Sequence, residues 1–177
     1  MSNDAGQGPS QSIGLALGCF WGAQKLLDQI TGVRETTVGY MGGDTSHPSY
    51  REVCTGRTGH AETVWVTYDP DRVDVAEILR VFFENHDPTQ GNRQGNDVGS
   101  QYRSVIFPTT TAQADVARRI MADYGPRLAE AGYGPITTTI EPVGAHEFYA
   151  AEDEHQHYLA KNPFGYCPVH ATGVRCT

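Results

Sequence analysis

Residues 13 to 22 read Ile13-Gly-Leu-Ala-Leu-Gly-Cys-Phe-Trp-Gly22 and join two local patterns. The first five residues form a short apolar run that ends at Gly18, which is typical of a buried strand. From Cys19 to about Ile30, apolar residues recur every three or four positions, which predicts a helix. The predicted fold therefore begins with a strand that passes directly into a helix at a cysteine.

The rest of the chain alternates between strand and helix patterns. Strands are predicted at 36–40, 62–68, 103–107 and 136–140. Helices are predicted from Asp74 to about Phe83, at 111–131 with a kink at Gly125-Pro126, and at 147–161. Two long loops, 41–61 and 86–101, interrupt this order. The pattern indicates a single α+β domain with helices packed on a mixed sheet.

Length and local composition divide the chain into three segments. The 177 residues suit one domain. We expect a disordered leader at residues 1–11, a folded α+β domain with the candidate chemistry at 12–161, and a mobile, irregular tail at 162–177. Pro and Gly are frequent in this tail, which also carries Cys167 and Cys176, two of the four cysteines.

The charge balance disfavours several classes of partner. The chain has 21 Asp and Glu against 13 Lys and Arg, a net charge of −8, and no basic block. Phosphate contact needs clustered Lys and Arg, so we expect neither nucleic acid nor an anionic membrane surface as a partner. No apolar run approaches the ~20 residues that span a bilayer, and the first ten residues lack a signal-peptide pattern. We therefore expect a cytoplasmic protein, and a monomer because nothing suggests an obligate interface.

Cys19 is the strongest candidate nucleophile. It lies at the predicted helix start, where the helix dipole and unpaired backbone N–H groups stabilise a thiolate and lower the pKa of the thiol. Phe20 and Trp21 offer an apolar wall beside the sulfur. The alternative is a small buried thiol among ordinary core aromatics, because free cysteines are commonly buried.

Cys167 and Cys176 suggest a thiol relay. They lie nine positions apart, without the CxxC or His/Cys spacing of a zinc site. In such a relay Cys167 resolves an oxidised Cys19 and Cys176 then takes over the disulfide, because sulfenic acids condense with nearby thiols. Two unrelated surface thiols explain the spacing equally well. Cys54, in a loop without an activating partner, is interpreted as a spectator.

Polar residues elsewhere in the chain complete the candidate site. Glu62 opens a strand and shares a face with Val64 and Val66, where burial raises the pKa of a carboxyl group and suits it to general acid catalysis. A strand-end glutamate that bends into solvent is the alternative. The phenols of Tyr40 and Tyr102 are candidate donors to a substrate oxygen in a dry pocket.

For the charged residues near these positions, the sequence gives weaker evidence of a function. Asp97 and Arg103 either orient the neighbouring phenol or are ordinary loop charges. Glu154, His155 and His157 do not share one face of the predicted last helix, so we expect no metal site there.

Five motifs together resemble the A-type peptide methionine sulfoxide reductases. They are Gly18-Cys-Phe-Trp-Gly22, Gly39-Tyr-Met-Gly-Gly43, Thr58-Gly-His-Ala-Glu62, Gly99-Ser-Gln-Tyr-Arg-Ser104 and Glu152-Asp-Glu-His-Gln156. Their order and spacing match over nearly the whole chain. The resemblance implies a two-layer α+β sandwich with a mixed β-sheet, flanking helices and a ferredoxin-like core. It also implies reduction of the S-epimer of methionine sulfoxide, free or in proteins, with no bound cofactor.

The resemblance further implies the steps of the reaction. Cys19 would attack the sulfoxide sulfur, while Phe20 and Trp21 would hold the S-methyl group. Glu62 would protonate the sulfoxide oxygen, because a sulfoxide is a poor electrophile until its oxygen carries a proton. Methionine would leave, and Cys19 would remain as a sulfenic acid.

Further positions match the family in supporting roles. Tyr40 and Tyr102 would hydrogen-bond the sulfoxide oxygen, and Asp97 matches an acidic position that supports the same site. Gly165-Tyr-Cys167 resembles the three-cysteine subgroup, in which Cys167 would resolve the sulfenic acid and Cys176 would then take the disulfide.

The implied partners are substrates and a reductant. Oxidised proteins and free methionine sulfoxide would be reduced, and thioredoxin, or dithiothreitol in its place, would recharge the enzyme. Glu154 departs from the family, in which many members carry Tyr at that position. Two alternatives stay open at this level: a thiol hydrolase with His60 or His155 as its base, and a non-enzymatic thiol redox switch.

Overall fold

The computed structural model describes residues 9–166 and 170–177. Its strands are β1 (Gln11–Leu17), β2 (Val33–Met41), β3 (Ala61–Tyr68), β4 (Arg93–Gln94), β5 (Asp97–Val98), β6 (Ser104–Phe107), β7 (Thr139–Ile140) and β8 (Tyr149–Ala150). Its helices are α1 (Phe20–Asp28), α2 (Tyr50–Cys54), α3 (Val75–Glu84), α4 (Thr111–Glu130) and α5 (Tyr158–Lys161), with 3₁₀ turns at Ser100–Tyr102 and Asp153–His155. None of the described helices has the length and apolarity needed to cross a bilayer.

Six strands form one mixed sheet in the order β7-β6-β1-β3-β2-β8. The parallel pair is β6 with β7, and the other neighbours are antiparallel. The central order β6-β1-β3-β2, with α1 and α3 inserted along the chain, is the ferredoxin-like arrangement. The predicted α+β class with a mixed sheet and flanking helices is therefore confirmed. The short strands β4 and β5 pair separately.

The core follows the alternation of side chains along the strands. In β1, Ile13 and Leu15 are fully buried in the large apolar cluster that includes Leu27 of α1 and Phe82 of α3. Ala16 points to the opposite face, into a second, smaller apolar cluster. Successive side chains of a strand point to opposite faces, so both faces of this sheet are covered.

The helix that Asp74 was expected to begin is present as α3. The Asp74 side chain accepts a hydrogen bond from the Ala76 backbone N–H at 3.0 Å, which satisfies one of the unpaired donors of the first turn. Helix α4 also agrees with its predicted range, and it runs without interruption through Pro126.

The predicted helix at 147–161 is wrong over most of its length. Tyr149–Ala150 pairs with β2 as an edge strand, and helical structure is limited to the 3₁₀ turn and the four residues of α5. The side chain of Gln156 accepts from the Val38 N–H and donates to the Val38 carbonyl, at 2.9 and 2.8 Å. His157 has a φ of 51°, which ends any right-handed helix there. These tertiary bonds replace the intrahelical ones.

Both predicted loops contain local structure. The first holds α2, whose N-terminus is capped by Ser49 and Glu52 in a reciprocal capping box. The second holds the β4–β5 hairpin and the first 3₁₀ turn. The strand predicted at 136–140 is shorter than expected, because only Thr139–Ile140 pairs with β6.

Residues 170–177 have no helix or strand, as predicted for the tail. The Tyr124 hydroxyl donates to the Val174 carbonyl at 2.8 Å, and the Cys176 N–H donates to Glu84 Oε1 at 2.9 Å. These bonds fasten the segment to α4 and α3. Cys167 lies outside the described residues, and the mobility of the tail stays a prediction.

Candidate active site

Cys19 lies at the junction of β1 and α1, as predicted. It is the N-terminal cap of α1, with φ −57° and ψ 123°, and its carbonyl accepts from the Ala23 N–H at 3.3 Å. The backbone N–H groups of Trp21 and Gly22 favour the thiolate and lower the pKa of the thiol. The helix N-terminus therefore acts on the sulfur in the expected direction.

The net pKa of Cys19 contradicts the expected activation. Burial, the largest cause, raises the pKa of this thiol to about 12, and the nearby Glu62 and Asp97 carboxylates add to the rise. A thiolate loses its water shell in such a place, and two backbone donors do not replace that shell. The resting nucleophile is therefore a protonated thiol, and attack requires a group that removes the proton.

Glu62 is a buried acid, as predicted. It is 2% exposed, and the Phe20 backbone N–H donates to its Oε1 at 3.1 Å. Among the described residues its Oε2 has no hydrogen-bond partner. Burial raises the pKa of Glu62 to about 8, although the bond from Phe20 opposes this and lowers it. At neutral pH the group therefore holds a proton on a carboxyl whose second oxygen is free to donate it.

Tyr102 and Tyr50 both lie near Glu62. Burial raises the pKa of each phenol, and the Glu62 charge is the next cause for both. Tyr102 was predicted, whereas Tyr50 was missed because it lies in a segment predicted to be loop. The signal for Tyr50 was the capping pattern Ser49-x-x-Glu52, which makes a short helix and fixes the direction of its first residue.

Tyr40 has a different position from the one expected. It is fully buried, and its hydroxyl donates to Glu152 Oε1 at 3.1 Å. The same carboxylate accepts from the Tyr50 backbone N–H at 3.3 Å. Burial raises the pKa of Tyr40, and the charges of Glu152 and Glu62 add to the rise. Tyr40 holds the carboxylate that fixes the start of α2, and its role as a donor to the substrate oxygen stays a prediction.

Phe20 and Trp21 form an aromatic cluster next to Cys19. The ring of Phe20 is buried and stacks on Tyr50 at a centroid distance of 6.4 Å. The half-buried Trp21 ring stacks on Tyr158 at 3.9 Å. Its indole N–H donates to His155 Nδ1 at 3.1 Å. Both rings therefore belong to an aromatic cluster at the start of α1, and their role as an apolar wall beside the sulfur stays a prediction.

His155 and two glutamates form a cluster that the sequence did not indicate. Ligand atoms of Glu152, Glu154 and His155 lie within 4.8 Å of one another, because the chain turns here instead of forming a regular helix. The Trp21 N–H occupies the Nδ1 lone pair of His155, so the neutral ring carries its own proton on Nε2. A metal needs a lone pair at that nitrogen, which makes the cluster a poor metal site.

Neither histidine considered as a base is placed for that role. The only lone pair of neutral His155 is used by Trp21, as described above. His60 is buried, and both its ring nitrogens lack partners among the described residues. Burial lowers the pKa of His60, and the charged groups that act on it are Arg103, Asp44 and His146, not Cys19.

Asp97 lies close enough to Cys19, Glu62 and Tyr102 for its charge to raise the pKa of each. Its Oδ1 accepts from the Tyr166 hydroxyl at 3.3 Å, and its buried Oδ2 has no partner within the described ranges. Cys54 is exposed at the end of α2. Cys176 is buried, and burial, followed by Glu84, raises its pKa to about 12.

A cysteine at a helix start, beside a buried and protonated carboxyl group in an α+β domain, defines this protein as a thiol-dependent enzyme. Comparison with known proteins narrows this class. The model of the peptide methionine sulfoxide reductase family matches residues 11–176. The chain belongs to that family, and it is an oxidoreductase that reduces methionine sulfoxide with thiols.

Individual relatives match this chain over most of their own length. The peptide methionine sulfoxide reductase MsrA of Corynebacterium kroppenstedtii is 60% identical over 169 residues, which cover 94% of this chain and 77% of that protein. The structure of methionine sulfoxide reductase A of Corynebacterium diphtheriae has a TM-score of 0.88 and 52% identity, with 97% of this chain and 84% of that chain covered. Mxr1 from Saccharomyces cerevisiae, in complex with Trx2, has a TM-score of 0.60 and 25% identity, with 99% and 95% covered.

Proposed function

We propose that Cys19 is the nucleophile and Glu62 the acid in the reduction of the S-epimer of methionine sulfoxide. The observation that carries this assignment is the bond from the Phe20 N–H to Glu62 Oε1, which ties the acid to the residue after the nucleophile. A carboxyl group with a pKa raised to about 8 holds its proton at neutral pH, as a general acid must. Its unpartnered Oε2 is the atom that would face the sulfoxide oxygen.

The reaction moves one oxygen atom and two electrons. The Cys19 sulfur attacks the sulfoxide sulfur while Glu62 gives its proton to the sulfoxide oxygen. Methionine then leaves, reduced by two electrons, and the oxygen remains on Cys19 as a sulfenic acid, oxidised by two electrons. The thiol proton of Cys19 replaces the one that Glu62 donated, so the half-reaction needs no external proton.

The aromatic residues around Glu62 would bind the substrate. Tyr50 and Tyr102 are the proposed donors to the sulfoxide oxygen. Burial raises the pKa of both phenols, the charge of Glu62 adds to the rise, and the Tyr50 hydroxyl also bonds to the Cys54 side chain. Phe20 and Trp21 would hold the S-methyl group, which has no polar atom and prefers an aromatic wall. Tyr40 acts indirectly, through Glu152 and the Tyr50 backbone.

The second half of the cycle is proposed as a thiol relay. Cys167 would condense with the Cys19 sulfenic acid and release water, Cys176 would take over the disulfide, and thioredoxin would reduce it. The complex of Mxr1 with Trx2 supports thioredoxin as the reductant. Cys176 would have to leave its buried position, which requires the bonds from Tyr124 and Glu84 to break.

The proposed substrates are oxidised proteins and free methionine sulfoxide. We propose that the protein is a monomer and works without a bound cofactor. Cysteines that must cycle through thiol forms suit a reducing compartment, which supports a cytoplasmic location.

Thiol counting after a single turnover tests the proposal. One equivalent of methionine S-sulfoxide, without a reductant, should yield methionine and the loss of two free thiols. Cys19→Ser should yield no methionine, whereas Cys54→Ser should behave as wild type. Unchanged thiols in the wild-type protein would refute the assignment. Cys167→Ser should still complete one turnover but stop cycling with thioredoxin.

A further inference from the structure

A small cavity lies beside Cys19. It has a volume of about 60 Å³, and Cys19, Gly22 and Leu26 of the α1 region form one wall. Gln94 and Asp97 of the β4–β5 hairpin form another. This volume holds a few water molecules, since one water needs about 10–15 Å³ by the same kind of measure.

Two histidines reach this cavity, and they differ in what they can do. The Nδ1 of His86 lies 2.6 Å from the Phe82 carbonyl and its Nε2 lies 2.8 Å from Ser104 Oγ, so both nitrogens are engaged. Burial lowers the pKa of His86 to about 4, which keeps the ring neutral. The other is His170, whose buried Nε2 has no hydrogen-bond partner among the described residues.

The position of His170 is set by close packing on the hairpin. A Cβ added at Gly95 would lie 2.2 Å from both Cε1 and Nε2 of the ring, so only a glycine leaves room for the ring there. Gly95 also has a φ of +59°, which suits glycine. The tail therefore places an imidazole nitrogen against the hairpin wall, in the cavity that also contains the Cys19 thiol.

Cys19 needs a group that removes its proton, and few groups are available. Burial, the largest cause of the raised pKa, keeps the thiol protonated at rest. Glu62 holds a proton and cannot accept another, and His155 and His60 are not placed to act. Among the described residues that line the cavity, Asp97 and His170 are the ones with an unpartnered acceptor atom. A histidine is the side chain that proteins most often use to accept a proton in catalysis.

We propose that His170 is a proton-transfer residue for the attack of Cys19 on the sulfoxide, accepting the thiol proton at Nε2 directly or through a water in the cavity. The inference rests on the proposed role of Cys19. The S–H bond of Cys19 breaks and its proton goes to His170, while the O–H bond of Glu62 breaks and its proton goes to the sulfoxide oxygen. The electron pair left on the Cys19 sulfur forms the bond to the substrate sulfur. Solvent then removes the proton from His170 and returns one to Glu62.

The test is the rate of methionine formation in a single turnover with excess enzyme and no reductant. His170→Ala should form methionine about 10² times more slowly than wild type, the usual size of a general-base effect. Added imidazole should restore part of the rate, because the truncation opens a space of the size of the missing ring. If His170 had only a structural role, added imidazole would not raise the rate of the His170→Ala variant.

A second variant and two controls make the outcome decisive. His170→Asn keeps a polar side chain and should be as slow as His170→Ala, while His146→Gln, a histidine paired with Glu141, should keep the wild-type rate. An unchanged rate in both His170 variants, or a slow rate that imidazole does not raise, would overturn the proposal. Methionine formation by Cys19→Ser would instead show that the assigned nucleophile is wrong.

Discussion

The Phe20 backbone N–H donates to Glu62 Oε1 at 3.1 Å, so the first residue of α1 holds the carboxyl group that opens β3. A helix leaves its first backbone N–H groups without intrahelical partners, and a carboxyl oxygen satisfies one of them here. The next residue towards the N-terminus is Cys19. One hydrogen bond therefore sets the distance between the proposed nucleophile and the proposed acid.

Removing the acid should slow the first half-reaction. Glu62→Gln keeps the shape of the side chain but has no acidic proton, so single-turnover formation of methionine should fall by a factor of about 10² or more. Glu35→Gln, on the exposed side of β2, is the matched control and should have no effect. Rapid chemical quench with quantification of methionine measures both. An unaffected rate in Glu62→Gln would exclude Glu62 as the acid.

The same carboxyl group should make stability depend on pH. Its folded-state pKa of about 8 lies above the usual value of 4.5, because burial penalises the charged form. Between these values the folded state binds a proton that the unfolded state has lost, so the free energy of unfolding should fall as pH rises. The slope is at most about 1.4 kcal/mol per pH unit.

Urea unfolding at several pH values between 5 and 9 measures this dependence. The wild-type protein should lose stability relative to Glu62→Gln across the window and keep a constant difference above about pH 8, since the glutamine does not ionise. A difference that stays flat from pH 5 to pH 8 would show that Glu62 is not desolvated as described.

The buried Tyr40 and the half-buried Tyr50, both in contact with Glu152, should have different roles. Tyr50→Phe removes a proposed donor to the sulfoxide oxygen and should lower kcat/KM by at least about tenfold, with little change in Tm. Tyr40→Phe removes the bond to Glu152 and should lower Tm more than kcat/KM. Steady-state kinetics and thermal unfolding of both variants provide the comparison. If both variants lost kcat/KM to the same extent, Tyr40 would have to be assigned to the substrate site as well.

Release of the tail should control the reactivity of Cys176. The thiol is buried, whereas Cys54 is exposed, so a thiol reagent should modify Cys54 first. Tyr124→Phe removes the bond to the Val174 carbonyl and should speed the modification of Cys176 by about five- to tenfold, in line with ~1 kcal/mol for one hydrogen bond. Peptide mass spectrometry after timed alkylation measures each thiol. The Tyr149→Phe change, at a half-buried tyrosine of β8, serves as a control and should leave the rate of modification at Cys176 unaltered.

The elements predicted correctly are those with strong local periodicity. Apolar and polar side chains alternate over residues 62–68, which form β3, and Asp74 caps a helix with one apolar stripe. These elements could be predicted because each pattern shows which side chains face the core. The helix predicted at 147–161 was wrong because Gln156 bonds to Val38, more than a hundred positions away. A hydrogen bond between residues so far apart in the sequence cannot be read from the local pattern of apolar and polar side chains.

The properties of the candidate site also fall into those that the sequence indicated and those that depended on the tertiary structure. The sequence alone determined the family and indicated Cys19 and Glu62 as the candidate nucleophile and acid, because both lie in motifs whose residue types and spacing suit that chemistry. Only the tertiary structure decided the raised pKa of Cys19, the hydrogen bond from Tyr40 to Glu152, and the position of His170 in a cavity that Cys19 also lines. Burial and the charges of distant residues set these properties, and both depend on which side chains the fold brings together.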